Sequence, residues 1–218
     1  MERTFLEILP LAIGAAISPT GLLFVMMILS GKDNSKKSAL GFVLGGTLFL
    51  VILGMFIFFT AKPVVNSTNH PNVTSSIIDI LLGVLILGIV VKSVFFKKKP
   101  KTDAAKKKKK PYPIMGFLYM FINISTLIPF IAAVKIISMN KLAPWDGVFI
   151  LLATILITMS MIAFPVIISY AMPKESQKIL GPVNGFMSKN GTKISNVYFT
   201  LMACYLVYHG VMGIMKII

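Results

Sequence analysis

Residues 5–30 read FLEILPLAIGAAISPTGLLFVMMILS, an apolar run whose one charged side chain is Glu7. A helix that crosses a bilayer needs roughly 20 apolar residues, because every backbone N–H and C=O has to be paired within the lipid. Near the middle of the run, Pro19 cannot donate a hydrogen bond to the Ala15 carbonyl, and its ring pushes the helix to kink or break. The stretch therefore predicts a membrane-spanning helix that is interrupted near its centre.

Six stretches of this kind occur in the chain, and together they predict its fold. The bulk composition agrees, because 56% of the 218 residues are hydrophobic and 13% are charged, whereas a soluble chain has about 25% charged residues. The stretches are interrupted by Gly, Pro, Ser and Thr rather than by the alternation of a β-strand. We therefore predict an all-α, polytopic membrane protein with six transmembrane helices, at approximately 5–30, 39–60, 76–96, 113–135, 147–171 and 194–216.

The basic residues predict the orientation of these helices. Sixteen of the 22 Lys and Arg residues fall in the first, third and fifth connections, and five fall on the opposite side. In membrane proteins the cytoplasmic loops carry the excess of Lys and Arg. We therefore predict a multi-pass protein of the cell (plasma) membrane, with the N- and C-termini outside and the odd-numbered connections in the cytoplasm.

The third connection is a Lys-rich linker, residues 97–112, with nine lysines between Lys97 and Lys110. Such a block repels itself, is low in complexity, and is typical of a topology anchor that touches the anionic headgroups of membrane lipids. The formal net charge of +15 therefore reflects membrane topology. We expect no nucleic-acid partner.

The linker divides the chain into two sets of three spans, residues 1–96 and 113–218. An odd number of spans in each set means that the second set enters the membrane from the opposite side. The pattern therefore predicts two inverted three-helix repeats. Secondary transporters are often built in this way, with substrate sites near the bilayer midplane where corresponding helices are broken.

The fourth stretch has an interruption comparable to that of the first. It reads Phe121-Ile-Asn-Ile-Ser-Thr-Leu-Ile-Pro129, and the proline leaves the Ser125 carbonyl without its helical donor. Pro, Ser and Thr are common in ordinary membrane helices, so simple kinks are the alternative interpretation. The matched positions of the two interruptions favour a substrate site formed by Ser18, Pro19, Thr20, Gly21, Asn123, Ser125, Thr126 and Pro129.

Four ionisable residues map near the outer ends of the predicted spans. Ionisable side chains within a bilayer are costly and often functional, but near the ends they can reach the interface. One interpretation is a polar outer vestibule in which Lys135 pairs with Asp79 or Glu7, and the alternative is a set of separate interfacial residues. The vestibule would consist of Glu7, Asp79, Lys135 and His209.

Several classes of function have little support in the sequence. The spans hold almost no carboxylates, so we predict neither a metal site nor any other cofactor. The single cysteine, Cys204, excludes an internal disulfide and is expected to serve helix packing. No nucleophile elbow, phosphate-binding loop or metalloprotease motif occurs, and we predict that the protein is not an enzyme.

Small residues in the second span predict a close helix contact. The segment Gly41-Phe-Val-Leu-Gly-Gly46 gives a face on which another helix backbone can approach closely. We expect this contact within the bundle rather than between copies, and leave homo-oligomer formation open.

Several short motifs are similar to those of a known group of transporters. They are Ile17-Ser-Pro-Thr-Gly21, Gly41 to Gly46, Leu82-Gly-Val-Leu-Ile-Leu-Gly88, Phe164-Pro-Val, and Val207-Tyr-His-Gly-Val-Met-Gly213. On these residues the chain resembles the lysine-exporter (LysE-type) superfamily, and within it the glycolipid- and sulfolipid-addressing group called GAP or Sap.

The resemblance implies a function. Members of the superfamily export amino acids, cations or other small solutes, and the GAP group is linked to the movement of glycolipids to the cell envelope. The superfamily usually has Asn-Pro in span four, whereas here Asn123 is followed by Ile124, so Asn123 corresponds by position alone.

Two hypotheses of different classes follow. The first is an exporter of a small or amphiphilic substrate, with a glycolipid as one candidate, that works by alternating access at a midplane site between spans one and four. The second is a membrane scaffold that transports nothing and recruits a cytoplasmic partner or anionic lipid through the Lys-rich linker.

Overall fold

The structure is a computed structural model that describes residues 2–31, 34–66, 73–95, 111–140 and 142–215. These residues form eight α-helices and no strand, which confirms the all-α prediction for this part of the chain. The Lys-rich linker lies outside the described residues up to position 110. The helices are α1 (Glu2–Ala16), α2 (Pro19–Leu29), α3 (Ser35–Asn66), α4 (Val73–Phe95), α5 (Tyr112–Ile122), α6 (Ile124–Met139), α7 (Pro144–Ala171) and α8 (Ser176–Met215).

Within the described ranges, three helices are each long and apolar enough to cross a membrane, at Ser35–Thr60, Pro144–Ala171 and Lys178–Met215. The number rises to five if the bent pairs α1–α2 and α5–α6 each count as one span. The remaining predicted span, 76–96, corresponds to α4, in which several side chains lie outside the description. The structure thus supports three to five spans, and the full set of six stays a prediction.

The first predicted interruption is a real break between α1 and α2. The two helices meet at an angle of 50°, and Ser18 between them has φ −127° and ψ 78°, outside the helical region. Pro19 is the first residue of α2, a position where the missing N–H costs nothing and the fixed φ favours the helix. The predicted effect of this proline is therefore confirmed.

The second interruption lies elsewhere than its proline suggested. α5 and α6 meet at an angle of 73°, and the residue between them is Asn123, with φ −80° and ψ 73°. Pro129 lies six residues further on, inside α6. The predicted stretch 121–129 contains the break, but Asn123 rather than Pro129 marks it, since α6 begins at Ile124 and continues past the proline to Met139.

The break at Asn123 leaves neither main-chain polar group of that residue unpaired. Its carbonyl accepts hydrogen bonds from the N–H groups of Thr126 and Leu127, each at 3.0 Å. Its own N–H donates to the carbonyls of Tyr119 and Met120, at 2.9 and 3.2 Å. Side chains, rather than bare backbone, are therefore the polar groups that this break presents.

The segment before the last predicted span is helical as well. We expected a basic connection before residue 194, but α8 is continuous over 40 residues from Ser176. Charge and polarity do not end a helix, and polar side chains can bond back to the preceding turn, as Ser188 does to the Asn184 carbonyl at 2.9 Å. At about 1.5 Å per residue α8 is about twice as long as the roughly 30 Å hydrocarbon core, so part of it extends beyond the lipid.

The bundle has an apolar interior and an apolar surface. Phe42, Phe58 and Phe130 are fully buried in the centre, where α1, α3, α6 and α7 pack together. On the outside, Leu156 and Phe56 are 72% and 66% exposed. Exposed apolar side chains on this scale indicate a lipid environment.

The glycines of α3 lie against α5. An added Cβ on Gly41 would meet the Pro113 ring at 3.2 Å, and one on Gly45 would overlap the Pro113 carbonyl. Reciprocally, a Cβ on Gly116 would overlap the carbonyl of Phe42. The two backbones touch at this crossing, which confirms the predicted packing contact within the bundle.

Candidate functional site

Polar side chains from both helix breaks meet in one partly buried cluster, which we call the break cluster: Ser18, Thr20, Tyr119, Asn123, Ser125 and Thr126. The Asn123 amide donates from Nδ2 to Ser18 Oγ at 3.0 Å and to Thr126 Oγ1 at 2.9 Å. Ser125 Oγ donates to Asn123 Oδ1 at 2.7 Å. The structure thus brings Ser18 of the first interruption into direct contact with Asn123 of the second.

Tyr119 belongs to this cluster although the sequence analysis did not include it. Its hydroxyl lies 3.1 Å from Ser18 Oγ, 3.0 Å from Thr20 Oγ1 and 3.2 Å from Asn123 Nδ2. The available signal was spacing, since residues four apart share a helical face and Tyr119 precedes Asn123 by four. Tyr119 therefore links Thr20, which is exposed, to the buried part of the cluster.

The break cluster contains more acceptors than its amide protons can serve. Asn123 Nδ2 has three oxygens within 3.2 Å, but an amide group carries two protons there. The Tyr119 hydroxyl has one proton for the oxygens of Ser18 and Thr20, while its own oxygen accepts from Asn123 Nδ2. Hydrogen-bond partners within the cluster can therefore be exchanged at a small cost in free energy. A ligand that supplies donors would find free lone pairs on the oxygens of the cluster.

Three aromatic rings from α2, α3 and α5 pack beside the cluster. Phe24 and Phe42 stack with ring centroids 5.3 Å apart, and each lies close to the Tyr119 ring, at 6.1 and 5.4 Å. Gly21 makes room for this arrangement, because a Cβ there would lie 2.9 Å from the Tyr119 hydroxyl. We call Phe24, Phe42 and Tyr119 the aromatic plug.

The break cluster is closed in this structure. Ser18 and Thr126 are 1% and 0% exposed, and the cavity beside Ser125 and Pro129 measures about 10 Å³. That volume is about the smallest that can hold one water molecule. A ligand would therefore require the helices around the breaks to move apart.

Tyr119→Phe is expected to loosen the break cluster without unpacking the plug. The substitution removes the hydroxyl near three polar partners and keeps the ring against Phe24 and Phe42. A hydrogen bond contributes about 0.5–1.5 kcal/mol net, so local opening should become roughly twofold to twelvefold more frequent. Hydrogen–deuterium exchange of the Leu22 amide, which bonds to the Ser18 carbonyl at 3.0 Å, would report this opening in nanodiscs.

The matched control is Tyr112→Phe, which removes the same atom at the start of the same helix. Exchange at Leu22 should stay at the wild-type rate in this variant. Equal rates in the two variants would contradict the assignment of Tyr119 to the cluster.

The four predicted vestibule residues are described to different extents. Glu7 is exposed and pairs with Arg3 one turn earlier, with Nε and Oε1 3.3 Å apart. Lys135 is half-buried in α6. Asp79 and His209 lie on α4 and α8, but their side chains are outside the described part of the chain. The vestibule stays a prediction.

One further buried polar group lies on α7. The Thr158 hydroxyl finds no hydrogen-bond partner among the described residues. It precedes Ile162 by one turn, and a Cβ on Gly21 would lie 2.8 Å from Ile162 Cδ1. Among all the residues that the structure describes, no group of three His, Cys, Asp or Glu side chains could hold a metal ion.

Apolar helices with a lipid-type surface, two of them broken around buried polar groups, define a multi-pass α-helical membrane protein. Over residues 8–212 the sequence matches the family model described as Sap, sulfolipid-1-addressing protein. The chain belongs to this family, which confirms the Sap part of the resemblance. No curated protein and no solved structure matches this sequence.

Proposed function

We propose that this protein is a transporter of the LysE superfamily that exports a small or amphiphilic substrate through the plasma membrane by alternating access. The substrate binds at the break cluster, between the α1–α2 and α5–α6 breaks. The proposal includes six spans, both termini outside and no enzymatic activity. The observation that carries it is the buried hydrogen bond from Asn123 to Ser18, 3.0 Å long, between two breaks 105 residues apart.

Helix packing supports an inverted repeat. If α1 to α4 correspond to α5 to α8, the contact of α3 with α5 corresponds to that of α7 with α1. Likewise α3–α6 matches α7–α2, α2–α3 matches α6–α7, and α2–α8 matches α6–α4. The contacts α3–α7 and α4–α8 map onto themselves. Such pairs are expected of two repeats related by a twofold axis.

Among the described residues, four contacts lack a counterpart in this pattern: α1–α6, α5–α6, α1–α8 and α7–α8. The first of them suggests which end opens. α1 packs closely on α6, and the corresponding pair is α2 with α5. In the described residues, that pair meets through the side chains of Thr20, Phe24 and Tyr119. Side chains rotate more readily than helix backbones separate, so the α2–α5 end is the one expected to open first. The positive-inside pattern assigns this end to the cytoplasm.

The cargo class is inferred from the chemistry of the cluster and from the family. The break cluster offers hydroxyl and amide groups and no charge, which suits the hydroxyls of a sugar better than a bare ion. The family's description names sulfolipid addressing. A glycolipid combines such hydroxyls with chains that the exposed apolar helix surfaces could accompany through the lipid.

Reconstitution tests this proposal. Purified full-length protein in liposomes should move labelled glycolipids, or one of a panel of amino acids, from one side of the membrane to the other. Empty liposomes and liposomes with a denatured sample set the background. Absence of transport and of specific binding for both classes would overturn the proposal.

The scaffold alternative has one observation in its favour, the nine lysines between Lys97 and Lys110. We expect that replacing residues 97–110 with a neutral Gly-Ser linker of equal length leaves transport within about twofold of wild type, since in sequence this segment joins the two repeats and contributes no residue to the break cluster. A reporter fused to the C-terminus would check that orientation is preserved. Loss of function in a correctly oriented variant would instead favour the scaffold.

A further inference from the structure

A second, larger cavity lies at the other end of α2 from the break cluster. It measures about 340 Å³ and is bounded by the end of α2, the starts of α3 and α8, and the end of α7. That volume falls within the roughly 300–1,000 Å³ of small-molecule sites. None of its lining residues belongs to the break cluster; along α2 the nearest of them, Met26, lies about 9 Å of helix beyond Thr20.

Four serines line this cavity, Ser30, Ser35, Ser169 and Ser176, and the hydroxyls of three of them donate to backbone carbonyls. Ser30 Oγ donates to the Met26 carbonyl at 3.0 Å, Ser169 Oγ to Val166 at 2.7 Å, and Ser176 Oγ to Pro173 at 3.1 Å. A hydroxyl has one proton and two lone pairs. With their protons committed to the backbone, these serines present acceptors to the cavity and call for a ligand that is rich in donors, such as a sugar.

Lys36 adds one positive charge. Its side chain is half-buried, and its Nζ lies 5.7 Å from the centre of the Tyr170 ring. The described lining of the cavity contains no carboxylate. Asn184 of α8 also lines the cavity and adds amide donors. An anionic group on the ligand would therefore have donors from both α3 and α8.

The rest of the lining is apolar. Met26, Leu29 and Leu180 contribute side chains that a sugar alone would not use. Methylene groups next to a headgroup would bury apolar surface there, at about 0.8 kcal/mol for each CH₂. The lining thus matches a headgroup joined to an alkyl chain.

We propose that this cavity binds the headgroup of an anionic glycolipid. Sugar hydroxyls donate to the three serines, an anionic ester pairs with Lys36 and Asn184, and the first part of the chain lies on Met26, Leu29 and Leu180. The assignment rests on the proposed function in one respect, because it takes this lipid to be the cargo before it reaches the break cluster.

Equilibrium binding tests the assignment apart from transport. The probe is octyl glucoside 6-sulfate, below its micelle concentration, added to the full-length protein in nanodiscs. Lys36→Gln is expected to weaken binding roughly tenfold or more. Lys37→Gln removes the same charge from the exposed neighbouring side chain and should change the dissociation constant less than about twofold. Asn184→Ala supplies a second variant on α8, with an expected loss of about fivefold.

Two further probes test the contributions of the sulfate and of the alkyl chain separately. Octyl glucoside without the sulfate should bind at least about tenfold more weakly, and glucose 6-sulfate without the chain should also bind more weakly. Three results would each overturn the assignment. They are equal affinity of the sulfated probe for Lys36→Gln and Lys37→Gln, no binding of this probe to the wild-type protein, and an affinity for glucose 6-sulfate equal to that for the probe with its chain. Binding that obeys these expectations in a protein without transport would overturn the proposed function and leave this site standing.

Discussion

Gly116→Ala is expected to destabilise the protein by about 3 kcal/mol, near the upper end of the 1–3 kcal/mol typical of overpacking. The added methyl would overlap the Phe42 carbonyl, and a backbone group cannot turn aside as a long side chain can. The same crossing is closed from the other side by Gly45 against the Pro113 carbonyl. α3 and α5 would therefore have to separate along their contact, and the melting temperature in detergent should fall.

Gly185→Ala is the control for this prediction. A Cβ on Gly185 would have no other atom within 4 Å, and Ala favours a helix over Gly by about 1 kcal/mol. This variant should be neutral or slightly more stable. If both variants melt at the same temperature, the close approach of α3 and α5 is not the reason for glycine at position 116.

The broad fold was predictable because lipid imposes simple rules on sequence. Long apolar runs predicted helices, and Pro19 predicted the first break, where this proline begins α2 and its missing N–H leaves no helical bond unmade. The glycine face on α3 predicted a tight crossing. Each of these inferences depends on one residue type whose effect is largely local.

Features that depend on tertiary contacts were not predictable in the same way. Asn123 adopts non-helical angles with no proline or glycine to signal them, and its amide bonds to Ser18 at a separation of 105 residues. In the sequence, Tyr119 is one of several aromatic residues in apolar spans, and only the structure places its hydroxyl beside Ser18 and Thr20. The helical start of α8 was missed because charged residues suggest a loop but do not exclude a helix.

Asn123→Ala is expected to lower the transport rate by on the order of tenfold to a hundredfold, equivalent to about 1.4–2.8 kcal/mol. The side-chain amide of Asn123 forms the hydrogen bond between the two breaks. Without this amide, a substrate at the break cluster would lose the Nδ2 donors and the Oδ1 acceptor of Asn123. The fold should survive, because the hydroxyls of Ser125 and Thr126 can bond back to helix carbonyls and Ser18 keeps Tyr119 at 3.1 Å. Initial rates in liposomes, corrected for the amount of inserted protein, give the measurement.

The control for this substitution removes the same amide at the other end of α6. Asn140 Nδ2 donates to the Ile136 carbonyl at 3.0 Å, so Asn140→Ala deletes one side-chain hydrogen bond at a helix terminus and costs about 1 kcal/mol of stability at most. Its transport rate should remain within about twofold of wild type. A general weakening of α6 would slow both variants alike, whereas a substrate contact at the break slows Asn123→Ala alone. Unchanged transport in Asn123→Ala would mean that the hydrogen bond between the breaks only holds helices together, and the cargo site would have to be sought elsewhere in the bundle.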